Sequence, residues 1–141
     1  MKRSIVDIEL RTVIDRNGEK EMSIVKQTGE YIKKNEIEIL TFTEQRDDIG
    51  SIRNYITIQN NRVTIRRSGA ISMNQKFEVG KKSESLYRHP YGTLHFQIET
   101  KTLKRKKRMK HKLGEIVITY KAVINGIEEQ KHHLTLTFMK E

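Results

Sequence analysis

Val6-Asp7-Ile8-Glu9-Leu10-Arg11-Thr12 alternates without a break between aliphatic or β-branched residues and charged ones. A period of two puts the first set on one face of an extended chain and the second on the other, the signature of a strand with one side buried. The pattern recurs along the chain. Leu94, Phe96 and Ile98 alternate with His95, Gln97 and Glu99; Ile116, Ile118 and Tyr120 are spaced by Val117 and Thr119; Leu134, Leu136 and Phe138 alternate with His133, Thr135 and Thr137. No segment carries a helical stripe. Residues 71–80 have mixed periodicity but are rich in strand formers.

Turn signals separate these runs every ten to fifteen residues: Asn17-Gly18, Asn35, Asp47-Asp48, Asn60-Asn61, Ser68-Gly69, Gly80, Pro90 to Gly92 and Asn125-Gly126. They predict eight to ten strands joined mostly by short hairpins. Of the 141 residues, 35% are hydrophobic and 33% charged, which suits strands with one wet face and not a sheet covered on both sides. The regular spacing, with no long cross-over, favours an all-β, antiparallel up-and-down barrel over a sandwich. Residues 1–141 are expected to form this single domain. Without cysteine there is no disulfide framework, thiolate metal site or thiol nucleophile. Met1-Lys2-Arg3 resembles a signal-peptide start, but Asp7, Glu9 and Arg11 interrupt the apolar stretch that a signal peptide needs, and no run is long enough for a membrane span. A cytoplasmic location is expected.

Loop lengths predict register. A two-residue loop at Asn60-Asn61, whose positive φ asparagine tolerates, sets Ile58 opposite Val63 and Ile56 opposite Ile65. A three-residue loop Arg16-Asn17-Gly18 sets Leu10 opposite Ile24 and Thr12 opposite Met22, and is preferred to the two-residue loop that pairs Leu10 with Val25. A three-residue loop Ile124-Asn125-Gly126 pairs Ile116 with Leu134 and Ile118 with His132. This puts His132 on the apolar face near one end of the barrel.

Tyr87-Arg88-His89-Pro90-Tyr91-Gly92, followed by a strand, a basic connection and Gly114-Glu115-Ile116-Val117-Ile118-Thr119-Tyr120, resembles the YwiB-like bacterial proteins. Arg67-Ser68-Gly69, Phe77 and Gly80 add to the likeness, which covers almost the whole chain. The resemblance implies a calycin-like, lipocalin-related barrel in the cytoplasm of a Gram-positive bacterium. It carries no biochemical activity, and His89 stands where the family usually has threonine.

Four features are candidates for chemistry. Lys104-Arg105-Lys106-Lys107-Arg108-Met109-Lys110-His111-Lys112 holds seven of the 28 basic residues, in a chain of net charge +10. Lying between two strands, it reads as a hairpin connection: a solvated tip, or a dock for RNA or another polyanion through Lys104, Arg105, Lys106, Lys107, Arg108, Lys110 and Lys112. No aromatic residue is interleaved for base stacking. The corner around Pro90 reads as a structural plug or as a rim site where Arg88 and Tyr91 meet an anionic or planar ligand. His132 and His133 point to opposite faces and cannot share a metal, so no metal site is expected. Tyr120 falls on the same face as His132, and the two could orient a ligand inside the barrel.

Asp7, Glu9, Glu36, Glu38 and Glu99 are assigned to the wet face. No nucleophile or phosphate-loop motif is present. No catalytic residue, cofactor or enzymatic activity is therefore expected. The leading expectation is a barrel binding a small, partly apolar molecule through Arg88, Tyr91, Tyr120 and His132, in a cavity lined by Ile8, Leu10, Phe96, Ile118 and Leu136. The alternative is a barrel scaffold whose 104–112 hairpin binds a polyanion.

Overall fold

The computed structural model describes residues 2–109 and 112–141, and all its regular elements are strands. They run β1 (Lys2–Arg16), β2 (Glu19–Lys34), β3 (Ile37–Arg46), β4 (Gly50–Ile58), β5 (Val63–Gly69), β6 (Met73–Phe77), β7 (Lys82–His89), β8 (Gly92–Met109), β9 (Lys112–Ile124) and β10 (Glu128–Lys140). Neighbours in the chain pair antiparallel, and β1 pairs with β10, so the up-and-down meander bends round into a nearly closed ten-stranded barrel. The weak seam lies between β6 and β7. One backbone bridge, Ser72 to Arg88, spans it. Two serines help: Ser85 Oγ accepts from the Asn74 N–H at 3.3 Å, and the Ser83 hydroxyl donates to the Lys76 carbonyl at 3.0 Å. Among the described residues no helix is long and apolar enough to cross a membrane.

The predicted alternation holds in the buried set. Val6 and Ile8 of β1, Ile116 and Ile118 of β9, and Leu134, Leu136 and Phe138 of β10 all face inward. Leu40, Ile56, Ile58, Ile65, Phe77 and Ile98 meet them in one cluster. Each such side chain contributes roughly 1.5–3 kcal/mol on burial, which favours filling the middle of the barrel over leaving a channel through it.

Register corrects two expectations. Leu10 pairs with Val25 and Arg16 with Glu19, so the first hairpin turns on two residues, Asn17 and Gly18. Their φ values of +52° and +91° fit the turn whose twist matches the strands, and Asp15 Oδ1 accepts from the Gly18 N–H at 2.8 Å. The three-residue loop would bury Ile24 and Met22, but these are 42% and 62% exposed. At the last hairpin Ile116 pairs with Leu136, Ile118 with Leu134 and Tyr120 with His132. The loop is Asn125-Gly126-Ile127, not Ile124-Asn125-Gly126. A shift of two residues keeps every side chain on its face, so His132 still points inward.

At Asn60-Asn61 the predicted pairing stands, Ile58 with Val63 and Ile56 with Ile65. Neither asparagine has positive φ, however; among the described non-glycine residues only Asn17, Asn35 and Asn125 do. In β8 a bulge separates Thr100, opposite Tyr120, from Thr102, opposite Thr119. It resolves a conflict of parity. Phe96, Ile98 and Thr100 face in on even numbers; Leu103 and Arg105 face in on odd ones, and Lys101 is the extra residue that lets both sets do so.

Candidate functional site

The middle of the barrel is solid and its two ends are not. Ile8, Ile118 and Leu136 are packed into the core cluster, so the expected cavity lined by these three does not exist. Leu10 and Phe96 do line a cavity, of about 200 Å³, toward one end. Its walls include Leu134, Met73, Ile65 and Tyr87, and its polar groups come from Arg67, Gln75, Tyr120 and His132. A second cavity, of about 410 Å³, opens at the other end around Tyr31, Glu38, Arg105 and Phe138. His132 and Phe138 lie six residues apart on β10, about 20 Å along the strand, with the inward side chains of Leu134 and Leu136 between them.

Tyr120 and His132 are cross-strand partners with ring centroids 4.7 Å apart. Phe77 packs on the Tyr120 ring at 4.8 Å, and Tyr87 stacks on Phe96 at 5.9 Å. The Gln75 side chain hydrogen-bonds the Tyr120 hydroxyl, while burial pushes its ionisation well above the normal phenol range. His132 is 8% exposed, and burial, with a smaller effect from the Arg16 charge, lowers its pKa to about 4.

Its tautomer follows from its neighbours. The Gln130 amide nitrogen donates to Glu128, which turns the Gln130 oxygen toward His132 Nε2 at 2.8 Å. Nε2 is therefore the protonated nitrogen of a neutral ring, and Nδ1 is left as an acceptor. Nδ1 is buried with no partner, and so is Nε of Arg67, a donor on another residue that lines this cavity. The other face of Arg67 is occupied: its Nη2 donates to Glu44 Oε2 at 2.7 Å, and Asn54 Nδ2 donates to the same oxygen at 2.9 Å. Burial acts to raise the Glu44 pKa. The Asn54 and Arg67 hydrogen bonds, with the charges of Arg67 and Arg46, outweigh it and leave the pKa below the usual carboxylate value.

Arg88 and Tyr91 do not join this group. Arg88 neighbours inward-leaning Tyr87 on β7 and so points outward, and Tyr91 sits at the β7–β8 turn, 83% exposed. The expected four-residue site is thus two separate places. Tyr87, Gln75 and Arg67 complete the one built on Tyr120 and His132. His133 faces out, and His95 approaches Glu84 at 3.7 Å with 44% of its side chain exposed. Among the described residues no cluster of three metal-ligating side chains exists.

The described part of the basic run is strand and not loop. Residues 104–109 belong to β8 and pair with β9, Lys104 with Val117 and Arg105 with Ile116. Lys110 and His111 lie outside the described residues. The run therefore splits by face. Lys104 and Lys106 point out, and Lys106 approaches Glu115 at 3.9 Å, as Lys112 does at 3.7 Å. Arg105 points in, its side chain 17% exposed, and forms an ion pair with Glu38. Glu38 is itself 7% exposed and accepts from the Tyr31 hydroxyl at 2.5 Å. The assignment of Glu38 to the wet face is overturned. A parity signal was available: Leu40 and Phe42 are inward, and Glu38 and Glu44 share their parity on β3. By the same rule Val63 and Ile65 carry Arg67 inward.

A family model described as Domain of unknown function (DUF1934) matches residues 8–136. The "Uncharacterized beta-barrel protein YwiB" of Bacillus subtilis (strain 168) is 26% identical over 134 residues, covering 94% of this chain and 92% of that protein. The crystal structure of the ywiB protein from Bacillus subtilis superimposes with a TM-score of 0.85 at 25% identity, covering 99% of this chain and 93% of that one.

Proposed function

The chain belongs to the DUF1934 family, and from that premise we propose that it is a cytoplasmic, non-enzymatic binding barrel of the calycin-like, lipocalin-related kind. Its ligand is one small, flat, partly apolar molecule held in the cavity at the His132 end. One observation carries this reading. Two buried polar atoms on residues that line the same cavity, His132 Nδ1 and Arg67 Nε, have no hydrogen-bond partner. Leaving such groups unpaired costs about 1–3 kcal/mol each, and an occupant that pairs both recovers it.

The two atoms also specify the occupant. Nδ1 accepts and Nε donates, so the matching edge offers one donor and one acceptor, as a lactam or a cis-amide does. Tyr87, Phe96 and Tyr120 supply ring surfaces for a flat body. A volume of about 200 Å³ is smaller than the ~300 Å³ at which drug-sized pockets begin, which limits the ligand to a small molecule. The basic run supports the polyanion alternative less, because Arg105 points inward to Glu38, and Lys106 and Lys112 share Glu115.

Native mass spectrometry of the protein purified from its own cells tests the proposal. The wild-type chain is expected to carry a single small-molecule mass increment, which the Arg67→Met and His132→Leu variants lose while still folding. A bare mass in the wild type under gentle ionisation, or equal loading of both variants, would overturn it.

A further inference from the structure

We infer that the barrel carries a second binding site, at the end opposite His132, for a small organic anion with a flat apolar body. The cavity there is the larger of the two, at about 410 Å³. Its apolar lining is preformed. The Phe138 ring lies on Tyr31 with centroids 5.5 Å apart and an interplanar angle of 25°, and Leu113 and Ile116 flank them. Gly114 permits this: a Cβ there would run into the Phe138 ring.

Four cations, Lys33, Arg105, Lys106 and Lys107, line the cavity against two carboxylates, Glu38 and Glu115. Glu115 lies close to Lys106, and Glu38 holds Arg105. Lys33 and Lys107 have no acidic partner among the described residues. The site is therefore short of negative charge in a partly enclosed, aromatic-floored space, where a charge-assisted bond is stronger than on open surface. Arg105 is already aimed: the Tyr31 hydroxyl fixes Glu38, and Glu38 fixes the guanidinium. An arriving carboxylate, sulfonate or phosphate group meets two lysines and one oriented arginine, and Glu38 is the group it competes with. The β8 bulge makes this possible, because it sets Arg105 on the inward face together with Leu103.

The test uses 8-anilinonaphthalene-1-sulfonate as the probe, titrated by fluorescence against the full chain. Wild type is expected to bind it at one site that Arg67→Met leaves unchanged, which separates this site from the His132 cavity. Lys33→Gln combined with Lys107→Gln should weaken binding by about tenfold or more, and added salt should weaken it further. Glu38→Gln removes the competing carboxylate, keeps the shape, and should tighten binding severalfold. The inference is overturned if wild type fails to bind the probe or if the double lysine variant, whose changes are on exposed side chains and leave folding intact, binds equally well. It is also overturned if Arg67→Met abolishes binding, or if uncharged N-phenyl-1-naphthylamine competes as well as the sulfonate does.

Discussion

Gly29→Ala is expected to destabilise the barrel by about 3 kcal/mol or more, a large fraction of the stability of a domain this size. Gly29 lies in the interior of β2, paired with Val6, at the place where β2 parts from β3. The ladder between β2 and β3 runs only from Lys34–Ile37 to Glu30–Thr41. Beyond it, Glu19–Thr28 pairs with β1 alone, and the separation opens the end of the barrel where the His132 cavity lies. An added Cβ at Gly29 would collide with the Thr41 carbonyl oxygen and come within 2.7 Å of Ile8 Cδ1 and 3.0 Å of Phe42 Cβ. The first obstacle is backbone, so no rotamer change relieves it. Gly18→Ala is the control. It has open space around its Cβ but a φ of +91°, and should cost only about 1 kcal/mol. Chemical denaturation of both variants decides the matter: equal costs would show that the close approach at Gly29 is not a constraint.

Arg105→Met and Glu38→Leu should each destabilise by about 3 kcal/mol, and the two together by much less than their sum. Each single change leaves a charged group inside the barrel without its counterion, whereas the double variant leaves apolar side chains beside Leu113, Ile116 and Phe138. Lys104→Met, one residue away on the outer face, should change stability by no more than about 0.5 kcal/mol. A double-mutant cycle with that control separates an interior arginine from a solvated one. Arg105→Met costing no more than Lys104→Met would refute the division of the basic run between two faces. The cycle also bears on nucleic-acid tests: neutralising Lys104 leaves the barrel alone, while neutralising Arg105 does not.

The fold was legible in the sequence because a period of two survives wherever one face of a strand is wet. Val6-Asp7-Ile8-Glu9-Leu10 shows it in five residues. Loop geometry was less so. At Asn17-Gly18 the sequence allows two hairpin lengths, and the shorter one leaves Ile24 and Met22 outside, a placement that hydrophobicity alone argues against. The candidate site was half legible. His132 and Tyr120 come together because both lie on strands of unbroken alternation. Glu38, Glu44 and Arg67 were hidden because a charged residue on an apolar face reads as an exception to the pattern, and only its counterion, distant in sequence, makes the position tenable. Arg105 was hidden twice, by the charges around it and by a bulge that composition does not announce.

The ligand proposed for the His132 end requires a buried, neutral imidazole with one unpaired nitrogen. A ¹⁵N NMR titration of the His132 ring between pH 8 and pH 3.5 tests this most directly. The predicted result is a single Nε2–H tautomer that resists protonation down to about pH 4. Because the unfolded chain takes up that proton near pH 6.5 and the folded one does not, stability is fully present above pH 6.5 and falls as the pH drops toward 4. The loss is about 3 kcal/mol at most, and it is absent in His132→Leu. A ring that titrates near pH 6.5 with both tautomers populated, and with no pH-dependent loss specific to His132, would contradict a buried, neutral His132.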